Sequence, residues 1–262
     1  MRKIFFGVVL LFPIGVDAAM AQDDGIRFTT TFGLDYSNGS YGTQRNTNVE
    51  MALTTFSLEA ENLKFSVTMP YMRISGRGLV VFDAAGNPTV INRRTSAPAD
   101  VRTGYGDLNF SATYSLPPAI LDDFEVKVTG RVKVPTASER RRLSTGAADF
   151  GMSMDVSKKF GSWGPFVTMG YLLPGQPVGY ALKNTVSLST GTSVELSDNL
   201  VAIVSYDYDS ASSPLVVSSQ EMFGSLSWVV NDSITLTGYG TRGLSSGSPD
   251  VGGGLLVSYG FN

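Results

Sequence analysis

Apolar and polar side chains alternate along most of this chain with a period of two. The stretch FEVKVTGRVKVP, residues 124–135, shows the pattern clearly, because its valines share one face and its charged residues share the other. A period of two is the geometry of a β-strand, in which successive side chains point to opposite sides. The charged face of this strand needs water or charged partners, since a buried unpaired charge is very costly.

The same alternation predicts twelve strands, joined by connections that are short and long in turn. The strands span 26–36, 48–58, 63–74, 106–116, 124–135, 149–157, 163–172, 184–196, 200–209, 220–230, 234–242 and 251–261. The short connections are 59–62, 117–123, 158–162, 197–199 and 231–233, and the long ones are 37–47, 75–105, 137–148, 173–183, 210–219 and 243–250. An even strand number, strands of ~9–11 residues and this loop alternation are typical of outer-membrane barrels. We therefore predict an all-β fold, an up-and-down antiparallel transmembrane β-barrel of about twelve strands.

A secreted, water-soluble β-sandwich is the alternative fold, because it also has alternating strands. Its strands are usually shorter, at ~5–6 residues. Aromatic residues near the strand ends favour the barrel, since Tyr and Trp prefer the interface between membrane and water. On the apolar faces these residues are Phe28, Tyr36, Tyr71, Tyr114, Phe124, Tyr171, Tyr208, Trp228, Tyr259 and Phe261.

The N-terminus reads as a secretory signal peptide. Two basic residues precede an uncharged, mostly apolar stretch at 4–16, and Ala19-Met20-Ala21 supplies a small-x-small cleavage pattern. We predict a cleaved segment 1–21 and a single barrel domain 22–262. Segment 4–16 is too short to span a membrane as a helix, and no later segment is apolar for 18 residues.

Composition excludes several functional classes. The chain has 20 Lys and Arg against 23 Asp and Glu, so it lacks the basic surplus of a nucleic-acid-binding protein. It has no cysteine and therefore no disulfides, and it has no histidine. Barrel lipases and acyltransferases generally use a histidine base, and no GxSxG or HExxH motif occurs. Glycine-rich stretches at 104–109 and 245–254 are weak phosphate sites, since no helix follows them. We predict no enzyme activity, no catalytic residues, no metal site and no cofactor.

In a barrel the charged strand faces must line the lumen, where they can meet water and one another. The predicted pore-lining residues are Arg27, Lys64, Asp107, Asn109, Glu125, Lys127, Arg131, Lys133, Asp149, Asp155, Glu195 and Asp207. Pairing Leu116 with Phe124 would set Asp107 across from Lys133 and Asn109 across from Arg131. The next hairpin would set Lys133 across from Asp149 and Lys127 across from Asp155. Such a ladder either braces the wall or sets the selectivity for permeating solutes, and both roles are compatible.

Twelve strands enclose a narrow lumen, between the filled eight-stranded barrels and the open pores of 16–18 strands. We expect side chains or a loop to fill part of it. Connection 75–105 contains LVVF at 79–82 and TVIN at 89–92, separated by a Gly86-Asn87 turn, which predicts a small hairpin. Its candidate gate residues are Leu79, Val80, Val81 and Phe82; ordinary loop packing is the alternative role. Arg140-Arg141-Arg142 in the next loop is either solvated or bound to lipopolysaccharide phosphates.

Short motifs in the middle third of the chain resemble a bacterial outer-membrane family named for the meta-pathway of phenol degradation, often described as transporters. The matching motifs are Pro70-Tyr71, Gly104-Tyr105-Gly106-Asp107-Leu108, Val134-Pro135-Thr136, 144–149 and 157–161, and Ala137 stands where the family usually has glycine. The resemblance implies an outer-membrane barrel that passes aromatic or other small apolar compounds.

We therefore expect a passive outer-membrane channel for small solutes, surrounded by outer-membrane lipid and lipopolysaccharide. A non-conducting barrel with a structural or surface-binding role is the alternative. The last strand carries Leu255, Val257, Tyr259 and Phe261 on one face, which looks like the pattern by which the barrel-assembly machinery recognises its substrates. Those substrates usually end on the aromatic residue, whereas this chain adds Asn262.

Overall fold

The computed structural model describes residues 25–41, 46–76, 79–82, 88–91, 100–117, 123–177 and 181–261. The predicted signal peptide lies outside the described residues. The strands are β1 (Arg27–Gly39), β2 (Thr47–Ala60), β3 (Leu63–Gly76), β4 (Leu79–Phe82), β5 (Pro88–Ile91), β6 (Asp100–Tyr105), β7 (Leu108–Ser115), β8 (Phe124–Val134), β9 (Asp149–Lys158), β10 (Trp163–Leu173), β11 (Thr185–Ser197), β12 (Leu200–Asp209), β13 (Ser219–Val229), β14 (Ile234–Gly243) and β15 (Val251–Phe261). Within these ranges, no helix has the length and apolar character to cross a membrane.

The strands close into one antiparallel barrel. Each wall strand pairs with its neighbour in the chain, and β1 closes the ring by pairing with β15 from Phe28–Phe261 to Asn38–Val251. Because β6 and β7 both pair with β3, they count as one interrupted wall strand, which makes twelve. The predicted all-β barrel is therefore confirmed. Closure lets the described wall strands pair on both sides, except β6, which pairs only with β3, so it removes most of the unpaired edges that hydrocarbon cannot hydrate.

Long and short connections lie at opposite ends of the barrel, as the loop alternation predicts. Connections 40–46, 77–99, 135–148, 174–184, 210–218 and 244–250 lie at what we call the long-loop end. The tight turns, such as 61–62 and 198–199, lie at the short-turn end, where β1 begins and β15 ends. Within connection 77–99, β4 and β5 pair as a separate two-stranded hairpin, which confirms the hairpin predicted there.

The outer surface of the barrel is apolar. Alternate residues of each strand are exposed on it, including Phe32, Val128, Val204 and Leu255. The aromatic residues predicted near strand ends lie on it as well, and Phe28 and Phe261 stack there across the closing seam at 5.7 Å between ring centroids. An apolar outer band with aromatic girdles is the surface that a transmembrane barrel presents to lipid.

The register between the fourth and fifth predicted strands was wrong by two residues. Asn109 faces Lys133 and Ser111 faces Arg131, whereas we predicted Asp107 opposite Lys133 and Asn109 opposite Arg131. A bulge at Gly106 and Asp107 separates β6 from β7, so Asp107 has left the ladder. Glycine is required at 106, since a Cβ there would lie 2.8 Å from side-chain atoms of Met72 and Pro70. The next register is as predicted, with Lys133 opposite Asp149 and Lys127 opposite Asp155.

Unlike β8, the first half of β2 turns its apolar residues toward the lumen. Val49, Met51 and Leu53 point into the lumen, because they continue the inward face of Ser37, Asp35 and Gly33 on β1. Further along β2 the apolar residues change sides, and Phe56 is exposed on the outer surface. This change of face occurs without a bulge, since the pairing of β2 with β3 runs unbroken from Asn48 to Ala60.

Candidate functional site

The lumen is the candidate site, and all twelve predicted pore-lining residues lie on its side of the wall. Eleven of them occupy inward-facing strand positions, and Asp107 lies in the bulge between β6 and β7. Several of these side chains are almost completely buried, so they fill part of the lumen and do not line an open pore. Lys133 is 1% exposed, Asp149 2% and Asp207 4%.

Lys133 forms the centre of a buried cluster of three charged side chains. Its Nζ lies 2.5 Å from Asp149 Oδ2 and 3.8 Å from Asp107 Oδ2. The β8–β9 register places Asp149 beside it, and the bulge at Gly106 turns Asp107 toward it. The lysine is compensated by two carboxylates, and its removal would leave two buried acidic groups without their shared cation.

Both carboxylates of this cluster also hold loops at the long-loop end. Asp107 Oδ1 accepts a hydrogen bond from the Ala137 backbone N–H at 3.0 Å, and Asp107 Oδ2 accepts one from Ser144 Oγ at 2.8 Å. Asp149 Oδ1 accepts one from the Gly175 backbone N–H at 2.8 Å. The cluster therefore fixes connections 135–148 and 174–184 to the wall, which is a bracing role that sequence reasoning did not specify.

A second polar group lies lower on the same wall. Arg131 Nη1 donates to Ser153 Oγ at 3.1 Å, and Thr168 Oγ1 donates to Asp155 Oδ1 at 2.6 Å. Near the short-turn end, Lys159 Nζ pairs with Glu195 Oε1 at 2.6 Å. Basic residues of β8 thus face acidic residues of β9, and short polar side chains supply further hydrogen bonds on this wall.

An apolar cluster fills the lumen beside the charged cluster at the long-loop end. Its members come from β2, β3 and three long connections, and all are 7% exposed or less. They are Tyr41, Val49, Met51, Leu53, Met72, Ile74, Val80 and Leu143. We call this group the upper apolar cluster. Burial raises the pKa of the Tyr41 phenol, which therefore stays neutral and shares a 3.0 Å hydrogen bond with Ser37 Oγ.

The β4–β5 hairpin contributes Val80 to the upper apolar cluster. Val80 is 1% exposed, so the hairpin folds inward at this point and does not project into solvent. Of the predicted gate residues, only Val80 has a described side chain; those of Leu79, Val81 and Phe82 lie outside the described residues, although their backbones form β4.

A small cavity separates the charged cluster from the upper apolar cluster. Met51, Met72, Val80 and Leu143 line one side, and Asp107, Asn109 and Lys133 line the other. The cavity measures about 10 Å³, close to the room that one water molecule needs. Asn109 Oδ1 is buried beside it without a protein hydrogen-bond partner, which suits a single ordered water. The charged cluster and the upper apolar cluster therefore leave room for about one water molecule between them.

A second apolar cluster lies on the wall formed by β10, β12, β13 and β14. Phe166, Ile203 and Phe223 are buried there, and the Phe223 and Tyr239 rings stack at 5.9 Å between centroids. The Tyr239 ring extends across β15 and donates from its hydroxyl to Asp35 Oδ2 at 2.5 Å. Glycine at 254 makes this path possible, since a Cβ there would lie 2.5 Å from the Tyr239 hydroxyl oxygen. We call this group the lower apolar cluster.

Acidic residues on this same wall are partnered by hydroxyl groups. Asp207 accepts hydrogen bonds from Ser189 and Ser205, and Glu221 accepts one from Ser219 at 3.0 Å. Asp207 and Glu221 face each other directly across β12 and β13. Acids outnumber bases among the inward-facing residues that the structure describes: Asp35, Glu59, Asp107, Glu125, Asp149, Asp155, Glu195, Asp207, Asp209 and Glu221 against Arg27, Lys64, Arg102, Lys127, Arg131 and Lys133.

Sequence reasoning missed the apolar residues of the lumen and several of its charges. Asp35 and Glu221 lie on strand faces that alternate as expected, so parity alone could have added them. The buried Arg102 lies on β6, inside the connection predicted at 75–105, where no strand was expected. The upper apolar cluster has a subtler signal, since the apolar residues change face partway along both β2 and β3. Among the described residues, no group of three or more acidic side chains is arranged to hold a metal ion.

Comparison with solved structures identifies the fold. An outer-membrane channel from Pseudomonas putida F1 superposes with a TM-score of 0.68 at 10% identity, over 92% of this chain and 97% of that one. The KdgM porin gives a TM-score of 0.56 at 7% identity, and the NanC porin gives 0.55 at 9%; each match covers 89% of this chain and 99% of the other. No protein-family model and no curated protein matches the sequence. The shared property is the closed β-barrel itself.

Proposed function

We propose that the protein is a passive channel for small solutes in the bacterial outer membrane. The observation that carries this proposal is the closed twelve-stranded wall with an apolar outer surface around a lumen lined by charged side chains. Only a closed barrel or a helix satisfies its backbone inside a bilayer, and a barrel encloses a polar path. The similar solved structures are a channel and two porins, which supports transport over catalysis.

The solutes that fit best are small and largely apolar, with aromatic compounds included. Lumens of porin-type barrels are generally polar. In this one, the upper and lower apolar clusters place methionine, isoleucine, phenylalanine and tyrosine side chains on the inward face. Apolar walls reduce the cost of taking such a solute out of water. The sequence resemblance to the family of the phenol meta-pathway points to the same solute class.

The β4–β5 hairpin acts as the gate of this channel. It contributes Val80 to the upper apolar cluster, and the adjoining cavity has room for about one water molecule. A solute therefore has to displace the hairpin to pass. Gly76 and Asp100, at the two ends of this connection, face each other across β3 and β6, so a short turn can replace residues 77–99 without moving the wall.

Single-channel recording in planar bilayers tests the channel and its gate together. We expect small conductance from the wild type and a severalfold larger, steadier conductance when residues 77–99 are replaced by a short Gly-Asn turn. Val80→Asp should act in the same direction, because a carboxylate in the upper apolar cluster disfavours the inward position. Val217→Asp, at an exposed position in connection 210–218, is the matched control. If the shortened protein conducts no better than wild type, the hairpin is not the gate.

Charged solutes provide a second test of the lumen. Because acidic residues outnumber basic ones on the inward face, we expect cations to permeate better than anions. The reversal potential under a salt gradient should show this preference, most strongly at low ionic strength, where the screening length is ~30 Å at 0.01 M. Anion preference would mean that the acidic wall at Asp207 and Glu221 does not border the conducting path.

A non-conducting barrel with a structural or surface-binding role is the second candidate. The observation in its favour is the almost complete burial of Lys133 and Asp149 inside the barrel. If neither wild type nor the variant lacking the hairpin conducts, this candidate replaces the channel.

The proposed location brings further partners and a processing step. Outer-membrane lipid and lipopolysaccharide would surround the wall, and the barrel-assembly machinery would recognise β15. The mature chain would begin at Gln22. Membrane fractionation and N-terminal sequencing of the exported protein check both points, and recovery in the soluble periplasmic fraction would contradict them.

A further inference from the structure

The wall is incomplete beside β6. This strand pairs with β3 along one edge, whereas the β7–β8 ladder begins only at Leu108–Val134. Among the described strands, none pairs with the other edge of β6. Exposed strand edges carry unpaired backbone groups and are usually covered. Here connection 135–148 provides the cover, at the rim of the long-loop end.

Arg141 occupies the position where the next strand would lie. Its Nη1 donates to the Thr103 backbone carbonyl at 3.5 Å, and Leu143 packs beneath it against Gly104. The guanidinium group has five N–H donors, and this bond uses one of them. Arg141 is exposed, so its positive charge is presented at the outer rim of the barrel.

A second guanidinium lies on the other side of Thr103. Arg73 on β3 faces Thr103 directly across the ladder and points to the outer surface. It forms an ion pair with Glu50 on β2, at 2.8 Å between Nη1 and Oε1, with side-chain exposures of 52% and 44%. The rim at Thr103 therefore carries Arg73 and Glu50 on its outer side and the exposed Arg141 at the free edge of β6, and the exposed Arg140 adds positive charge nearby.

An aromatic pair marks the depth of this site. Tyr71 and Tyr105 face each other on β3 and β6, two residues below Arg73 and Thr103, and their rings meet edge to face at 5.2 Å. Both are exposed on the outer surface. Two residues correspond to ~7 Å along a strand. Tyrosines prefer the membrane–water interface, so the arginines lie at headgroup level, where lipid phosphates are found.

We propose that Arg73 and Arg141, with the Tyr71–Tyr105 pair beneath them, form a binding site for a phosphate group of lipid A. The inference rests on the proposed outer-membrane location. Arginine binds phosphate oxygens through paired, charge-assisted hydrogen bonds, and the acyl chains below the headgroup would pack on the exposed tyrosine rings. The lipid would also cover the β6 edge that the wall leaves without a strand partner. Glu50 opposes binding, because it competes with phosphate for Arg73.

Binding to purified, refolded protein in detergent tests the site without any need for conduction. Native mass spectrometry would compare bisphosphorylated lipid A, dephosphorylated lipid A, phosphatidylglycerol and inorganic phosphate. We expect bisphosphorylated lipid A to bind best, and the R73Q/R141Q double variant to lose roughly tenfold in affinity for it. E50Q should bind more tightly than wild type, an opposite change that general damage to the barrel cannot produce.

Arg242→Gln is the matched control. Arg242 is exposed on β14, at the same end but across the barrel, and the outward residues below it are Gly240 and Gly238 rather than tyrosines. Its substitution should leave affinity for bisphosphorylated lipid A unchanged, and heat-shifted gel migration should show that each variant folds.

Equal binding by wild type, R73Q/R141Q and R242Q would overturn the proposal, as would unchanged binding after dephosphorylation. Phosphatidylglycerol binding as tight as that of lipid A would mean a general phospholipid site. Unchanged conductance in R73Q/R141Q would separate this site from the channel.

Discussion

Apolar and polar residues alternate on both the β8–β9 wall and the β2–β3 wall, but the apolar residues face opposite sides of the barrel on the two walls. On β8 the valines face outward and Lys127, Arg131 and Lys133 face the lumen. At the long-loop end of β2 the apolar residues face the lumen, and Glu50 lies on the outer surface. Periodicity therefore defines which residues share a face, but the contents of the lumen decide which face is apolar. Where the hairpin and connection 135–148 pack inside, the inward face becomes a hydrophobic core.

The largest effect should come from the charged cluster of the β8–β9 side. Lys133→Ala leaves the buried carboxylates of Asp107 and Asp149 without their cation, so unfolding free energy should fall by about 3–5 kcal/mol. Reversible urea unfolding into and out of lipid vesicles measures this change. The D107N/K133M/D149N triple variant should lie close to wild type, because it buries no charge. A triple variant as unstable as Lys133→Ala would show that packing, not charge compensation, is responsible.

The next largest loss of stability should come from a substitution on the outer face of β8. Val128 is exposed to lipid, so Val128→Arg should cost about 2–4 kcal/mol in the same vesicle measurement. Val128→Thr keeps the shape of the side chain and should cost clearly less. Equal costs for the two variants would contradict the assignment of this face to the membrane.

A substitution on the inward apolar face of β2 should cause a smaller loss of stability. Val49 is completely buried in the upper apolar cluster, so Val49→Ala should cost about 2 kcal/mol through lost contacts and a residual cavity. Val204 on β12 is half exposed on the outer surface, and Val204→Ala should cost under about 0.5 kcal/mol. A larger stability loss for Val204→Ala than for Val49→Ala would mean that Val49 faces the membrane.

The ion pair on the outer side of β2 and β3 should matter least for stability. Glu50→Gln removes a pair whose members are both about half exposed, so we expect a loss below about 1 kcal/mol that shrinks as salt is added. Unfolding at two salt concentrations checks this. A loss as large as that of Val49→Ala would mean that the pair is shielded from water.

Most of the wall could be predicted from the sequence because membrane barrels leave few choices. Strands such as Leu200–Asp209 and Val251–Phe261 were placed with their observed ends, since turn residues interrupt an otherwise strict period. The pairing of Lys133 with Asp149 followed from parity across one hairpin. The β7–β8 register could not be read in this way, because it depends on the length of the connecting turn: the Leu116 N–H bonds to the Val126 carbonyl, two residues beyond the predicted partner Phe124.

The lumen was harder to predict because its contacts are long-range. Val80 meets Val49 and Leu143 only after three separate connections fold inward, and no local pattern specifies that meeting. The Tyr239 hydroxyl reaches Asp35 across 204 positions of sequence. A local signal did exist in the change of apolar face along β2 and β3, and it indicates an inward core wherever two neighbouring strands show it together.

The pairing of β1 with β15 has a consequence for the order of events during biogenesis. Phe28 and Phe261 belong to the first and last strands, so the pairing of β1 with β15 cannot form until the whole chain has been translated and exported. Contacts of such sequence separation form slowly, since the entropy of loop closure must be overcome first. Until then both terminal strands offer an unsatisfied edge to any other chain, which is a hazard for aggregation. A truncation that removes β15 should therefore yield a proteolytically sensitive aggregate and not a smaller barrel.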